Sequence, residues 1–335
     1  MKKIATLFLS LILCLVAVFG GACKEELQTG KVNIKYYQDG SMVAQFIMAG
    51  SETIGLVPEP AASNLEKNYL NNKGQALYRL DLQELYDGTT KAYPQAVLMV
   101  KKSVLLAHPE LVNTLQTKIT ESASWIKQNT TSAVNAVNSN GGSSLNVGAL
   151  SESAIDGCKI YWESALSSKT SVKNYINKIV DIDNTKASAV SDDFFYNGQT
   201  GSGTAKSSYT FMAPDGAPAL AISKLIYDND NLGTDASISY SVISATQVSL
   251  NLSSGTADFI VAPVNLASKL YKAGSNDYVM VAVITHGNFY ILSTSPISVK
   301  DLNGKQVAVP NQGAVPDWTF KMVLTKNNLD YVTVE

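Results

Sequence analysis

The chain has 335 residues, 45% of them hydrophobic and 16% charged, with a formal net charge of -2 at pH 7. That balance suits a globular protein with a sizeable core and excludes the basic surface that nucleic acids and other polyanions require. Arg79 is the only arginine, which excludes an arginine cluster for phosphate or carboxylate recognition.

Lys2 and Lys3 precede an apolar run from Ile4 to Phe19, and Gly20, Gly21 and Ala22 lead into Cys23. A charged start, an apolar middle and a small-residue end make an export signal. The competing reading is a membrane anchor, for which the run is short. Cleavage before Cys23 removes residues 1–22 as a signal peptide and leaves Cys23 lipidated, with a polar tether through Gly30. Gly20 stands where lipidation sites usually carry leucine, and Gly20 with Ala22 also suits ordinary signal-peptidase cleavage and simple secretion. With Cys14 in the leader and Cys23 lipidated, Cys158 is alone, so no disulfide, cysteine-based metal site or cofactor is expected.

Strand-like runs rich in β-branched and aromatic residues follow. They are VNIKYY from Val32, TIGLVP from Thr53, AVLMVKK from Ala96, YTFMA from Tyr209, ISYSVIS from Ile238, ADFIVAP from Ala257, YVMVAVI from Tyr278 and KQVAVP from Lys305. Several are apolar on both faces, as strands covered by helices on both sides should be. Helical periodicity lies between them. Pro109 opens a helix with Val112, Leu115, Ile119 and Ile126 on one face. Ile155, Cys158, Trp162 and Leu166 form a second stripe, and Val172, Tyr175, Ile176 and Ile179 a third. Residues 130–146, rich in Ser, Asn and Gly, read as an exposed loop, and residues 197–208 as a flexible linker. The alternation predicts an α/β protein with largely parallel sheets.

One unit recurs: a strand ends, a loop of small residues or proline follows, and a helix starts. It occurs as LVPEPAASNL from Leu56, FMAPDGAPALA from Phe211, ISATQVSL from Ile243, VAPVNLASKL from Val261 and VPNQGAVPDWTF from Val309. Any α/β protein needs such turns, but ligands of open α/β sheets bind beyond the carboxyl ends of parallel strands, where helix N-termini offer free N–H groups. These loops offer Glu59; Asp215, Gly216 and Ala217; Ser244 and Thr246; Pro263; and Asn311, Gln312 and Gly313. His286, in THGNFY, is a further cleft candidate. Asp215 serves equally well as a helix cap, Glu59 can face solvent, and Trp162 and Cys158 suit core packing better than ligand contact.

FMAPDGAPALAISKL, NLSSGTADFIVAP, VAVPNQGAVPDWTFKMVL, IGLVPEPAASNL and YPQAVLMVKKSVLLAHPELV together resemble ABC-transporter substrate-binding proteins of the NMT1/THI5-like and SsuA-like group. The resemblance covers nearly the whole mature chain. It implies a two-lobed type II periplasmic-binding-protein-like fold, with one mainly parallel sheet per lobe and helices on both faces. It further implies a small-molecule ligand held between the lobes, an ABC permease as partner, a monomer, and a place outside the cytoplasm on the cell membrane. Sulfonates, nitrate and thiamine precursors are ligands of this group. The segment order departs from it, because the family starts at the YTFMAPDGAPALA-like segment and runs NNLDYVTVE into VNIKYYQDGSMV. Here the order is circularly permuted, and the tripeptide QTG recurs at Gln28 and Gln199. The expected lobes are residues 31–147 with 297–335, and residues 148–296. Two other readings use the same fold. One is a membrane-tethered solute sensor. The other is an enzyme, either thiamine-pyrimidine synthase-like, whose cysteine-rich motif is absent, or desulfinase-like, with Cys158 as nucleophile.

Overall fold

The computed structural model describes residues 27–88, 93–198, 201–273 and 277–335. The segment read from sequence as a signal peptide, with Cys23, lies outside these residues. The first part of the chain runs β1 (Val32–Tyr37), α1 (Gly40–Ala49), β2 (Ile54–Pro58), α2 (Ala61–Lys73), β3 (Tyr78–Asp81) and α3 (Leu82–Asp87). It continues as β4 (Pro94–Lys101), α4 (Lys102–Ala107), α5 (Leu111–Gln128), α6 (Thr130–Ser139), α7 (Glu152–Gly157), β5 (Ile160–Ser164) and α8 (Ala165–Ile182). Then come β6 (Ser208–Pro214), α9 (Ala217–Ala221), α10 (Ser223–Asp228), β7 (Ser237–Ile243), α11 (Ala245–Ser254), β8 (Phe259–Pro263) and α12 (Val264–Lys272). Last are β9 (Tyr278–His286), β10 (Phe289–Ser293), β11 (Gln306–Pro310), α13 (Val315–Lys326) and β12 (Tyr331–Val334).

The strands form two six-stranded sheets, ordered β12-β1-β11-β2-β10-β3 and β5-β9-β4-β8-β6-β7. Five positions follow one plan in both. Three parallel strands stand as β1-β11-β2 or β7-β6-β8. An antiparallel strand follows, β10 or β4, and β3 or β9 closes the set. Each antiparallel strand arrives from the other sheet, because β4 follows β3 and β10 follows β9. This is the two-lobed type II arrangement, with one mixed sheet per lobe built on three parallel strands.

Burial explains the composition of the strands. All nine residues of β9 are buried, because helices cover both faces of its sheet. Apolar side chains of α5, α6, α9 and α10 fill one face, and those of α8, α11 and α12 the other. In the first sheet α13 packs on one face and α1 with α2 on the other. Helix α13 also meets the second lobe, where the buried Tyr175 hydroxyl on α8 lies 2.6 Å from Thr319 Oγ1.

Three expectations need correction. The lobe boundary at residue 147 is misplaced: β4 belongs to the second sheet and β10 to the first, because both are crossing strands. The stripe from Ile155 to Leu166 is not one helix. Lys159 takes a left-handed φ of 50°, Ile160–Ser164 pairs with β9, and the Ser164 side chain caps α8, leaving Leu166 61% exposed. The Ser/Asn-rich stretch is largely helix α6, with Ala133, Val134 and Val137 buried against the core. Its polar residues occupy the outer face and mask a three-residue apolar stripe.

Chain order also differs between the sheets. Strand β11 holds the position of β6, yet it follows β1, β2 and β3, whereas β6 precedes β7, β8 and β9. Strand β12 lies beside β1 in parallel, with Tyr331 opposite Val32 and Val334 opposite Lys35. Parallel neighbours cannot be joined by a tight turn, so a join between β12 and β1 would need a crossover segment.

The position of α6 in the core is testable. Val137→Ala is expected to destabilise the protein by about 2 kcal/mol through loss of buried methyl groups. Urea denaturation checks this, and an exposed loop there would leave the midpoint unchanged.

Candidate functional site

The two crossings lie side by side where the lobes face each other. The Gly287 N–H donates to the Tyr93 carbonyl at 2.9 Å, and Pro94 stands opposite His286 and Ala96 opposite Thr285, with Gln95 in a bulge between. A Cβ at Gly287 would lie 2.3 Å from the Tyr93 ring, so only glycine fits this approach. The Tyr93 ring in turn stacks on Tyr175 at 5.4 Å and meets Tyr86 edge-on.

Buried polar side-chain atoms in native proteins are almost always hydrogen-bonded. Among the described residues, eight such atoms lack a partner, and six of them belong to Tyr93, Gln95, Asn265, Thr285, His286 and Asn288. These six sit on one edge of the second sheet, where β9, β4 and β8 end or begin. The crossings into β4 and out of β9, and the Asn265–Gly313 bond, set that edge against the first lobe. Asn265 opens α12, and its Nδ2 donates to the carbonyls of Lys186, at 3.2 Å, and Gly313, at 3.4 Å. Asn288 Nδ2 donates to the Glu59 carbonyl at 3.1 Å, while the Glu59 N–H donates to the Asn288 carbonyl at 2.9 Å. His286 is 1% exposed, stacks on Tyr161 at 3.6 Å and places Nε2 3.2 Å from Glu163 Oε2. Burial lowers the His286 pKa, against the opposing pull of the Glu163 hydrogen bond and charge and of the Lys159 carbonyl.

The residues expected from sequence divide into two groups. His286 lies in this set, Pro263 ends β8 two residues before Asn265, and Gly313 receives the Asn265 amide. The β8–α12 and β11–α13 loops, one from each lobe, are therefore in contact. Asn311 takes a left-handed φ of 55°, and Gln312 beside it is exposed. The second group works as scaffold. Glu59 is 2% exposed and accepts from Ser63 and from Arg79 Nη2 at 2.5 Å. Arg79 also pairs with Glu66 at 2.9 Å and covers the Tyr290 ring. The Asp215 carboxylate accepts from the N–H groups of Ser143 and Ser144, at 2.8 and 2.9 Å, and of Gly216. Gly216 takes a φ of +95° that suits glycine, and Ala217 is buried. Ser244 closes a capping box with Gln247, and Thr246 Oγ1 lies 3.0 Å from Ser244 Oγ. Trp318 is core, with its indole N–H on the Gly313 carbonyl, and Trp162 packs against the core.

Sequence reasoning missed Tyr93, Gln95, Asn265, Thr285 and Asn288. Each stands within two residues of the end of an apolar run, a position at which a polar side chain must find a partner at the sheet's edge. Three surface grooves of about 610, 450 and 560 Å³ are lined by other residues, among them Lys127 and Asp156, Asp181 and Lys321, and Lys31 and Asp330.

No protein-family model matches the chain, and no curated protein matches its sequence. Among solved structures it is similar to NikA from Brucella suis in complex with Fe(III)-EDTA. The identity is 9%, covering 78% of this chain and 57% of that one, with a TM-score of 0.34. It is similar to NikA from Staphylococcus aureus in complex with Ni(L-His)2, at 8% identity over 80% of this chain and 59% of that one, TM-score 0.34. It is also similar to the oligopeptide-binding protein AppA from Bacillus subtilis, in complex with a nonapeptide. That identity is 10%, over 79% of this chain and 57% of AppA, TM-score 0.33. The chain spans just over half the length of these structures. The strand order, not these partial overlaps, defines the fold.

Two outcomes follow from the site's electrostatics. Arg79→Met leaves a buried Glu59 unpaired and is expected to cost about 2–3 kcal/mol of stability. Adding Glu59→Gln should recover part of that loss in a double-mutant cycle read by chemical denaturation. For His286, a folded pKa below the ordinary 6.5 means that the neutral ring contributes stability that is complete above 6.5 and lost as pH falls through the folded value. His286→Gln should flatten the fall in thermal midpoint across that acid window. An unchanged slope would show that the ring titrates as it does in the unfolded chain.

Proposed function

We propose that this protein is an extracytoplasmic solute-binding protein that captures a small molecule between its lobes and delivers it to an ABC importer. The observation that carries the reading is the concentration of unpartnered buried polar atoms at the one sheet edge where the lobes face each other. A surface that served folding alone would be apolar or satisfied there. The crossings supply a hinge, and closure on a ligand is stabilised by contacts made only in the closed state. Among the described residues no helix is long and apolar enough to cross a membrane, and lipidation of Cys23 provides the attachment. The protein acts as a monomer and binds without turnover. Cys158 supports the latter: it is fully buried in the core, and burial, followed by the nearby Glu59 charge, pushes its thiol pKa well above the ordinary value. The segment order is a circular permutation of the related group, which the late chain position of β11 supports.

Calorimetry and small-angle scattering test the reading, using the best stabiliser from a thermal-shift screen of sulfonates, nitrate and pyrimidines. The expected result is one ligand per chain, a more compact protein on binding and ligand recovered unchanged. Chemical alteration of the ligand would overturn it. Attachment is tested by labelling with a palmitate analogue, which Cys23→Ser should abolish.

A further inference from the structure

At three of the unpartnered positions, the donor half of the side chain is already occupied. Asn265 donates through Nδ2 to two backbone carbonyls, and Asn288 donates through Nδ2 to a third. These bonds fix the orientation of both amides, so the unpartnered atom in each is the oxygen, an acceptor with lone pairs only. In His286, Nε2 faces the Glu163 carboxylate, which can only accept. Gln95 adds a third acceptor oxygen, and Thr285 adds a hydroxyl that adapts to either role.

Two of the cations near this edge are committed elsewhere. Arg79 is held by Glu59 and Glu66, and Lys321 by Asp317. Lys186 is exposed and lies beside the Gly313 loop, where it also helps hold the Asp183 carboxyl below its ordinary pKa, after the Thr185 hydrogen bonds. An anion here would set its negative charge against lone pairs with little to offset the desolvation. A group with N–H or O–H bonds would satisfy each acceptor in turn.

We infer that the interlobe site selects a small neutral or cationic solute carrying several hydrogen-bond donors, such as an amine, amide, amino-heterocycle or polyol, and discriminates against sulfonates, nitrate and carboxylates. This rests on the solute-binding reading above and narrows its ligand. From Asn265 beyond β8, across β4, to Asn288 beyond β9 is two strand spacings, about 10 Å. A solute of one or two rings, or an equivalent chain, spans that row.

The test is affinity selection with mass-spectrometric readout, using the full chain and a defined equimolar mixture of amines, amides, amino-heterocycles, polyols, sulfonates, carboxylates, phosphates and nitrate. Neutral or cationic donor-bearing compounds should be enriched. The top compound should bind about tenfold more weakly to Asn288→Leu, the loss expected for one good hydrogen bond. Should that variant fail to fold, Gln95→Leu, which leaves the Glu59 contact intact, is expected to weaken binding several-fold. Enrichment of sulfonates, nitrate or carboxylates instead would overturn the inference and leave the solute-binding reading standing. Donor-bearing hits with unchanged affinity for both variants would overturn the assignment to this row of acceptors. Enrichment of nothing at all would overturn both readings.

Discussion

The structure depends on a close contact between two passing chains. The Tyr93 ring lies where a side chain at residue 287 would be, and the Gly287 amide bonds the Tyr93 carbonyl. Each lobe needs a strand from the other to complete its sheet. Strand β4 enters beyond Tyr93 and β10 begins two residues after Gly287, so both exchanges pass through this point. The tyrosine cluster behind it, Tyr86, Tyr93 and Tyr175, is linked through Thr319 to α13 of the first lobe. A glycine facing an aromatic ring thus sets how close the crossings come, and with it the spacing of every residue at the adjoining edge.

This contact also explains why polar atoms accumulate nearby. A strand that crosses between sheets must leave one ladder before it joins the next. Its side chains at that place are buried by both lobes yet flank a break in regular pairing. Thr285, His286 and Asn288 occupy the outgoing crossing, and Tyr93 and Gln95 the incoming one. Had burial alone shaped this region, apolar residues would serve better, as they do throughout β9 before Thr285.

Most of the architecture was legible in the sequence, because parallel strands covered on both faces produce unbroken apolar runs. Eight strands, among them VNIKYY and KQVAVP, could be found from composition, while β3, β10 and β12 were not among those runs. Strand β5 could not, since IYWES carries apolar residues at a spacing that also suits a helix, and its pairing with β9 decides the matter. Nor could the lobe division, because nothing local distinguishes β4 and β10 from strands that stay at home. The site was legible only in part. Loops such as PDGAP and PNQGAV point to strand ends, but the sequence does not say whether Asp215 or Glu59 already has partners inside the protein. The residues that lack partners, Asn265 and Asn288 above all, look ordinary until their bonds are traced.

The fate of the carboxylates shows how the edge acquires its polarity. Glu59 and Asp215 occupy loops at strand ends and Asp317 the first turn of α13, where charge would be most visible to a solute. Each is neutralised internally: Glu59 by Arg79 and Ser63, Asp215 by three backbone N–H groups, and Asp317 by Lys321, the Tyr36 hydroxyl and the Gly313 N–H. These bonds hold the loops in place and spend the charges doing so. Neutral amides, hydroxyls and one imidazole are left unpartnered near the edge where the lobes meet. Uncharged groups lose less on leaving water than ions do, so such a surface can be covered by a closing lobe at modest cost. The loops are therefore fixed by ionic bonds behind the edge, while the edge itself is polar without being charged.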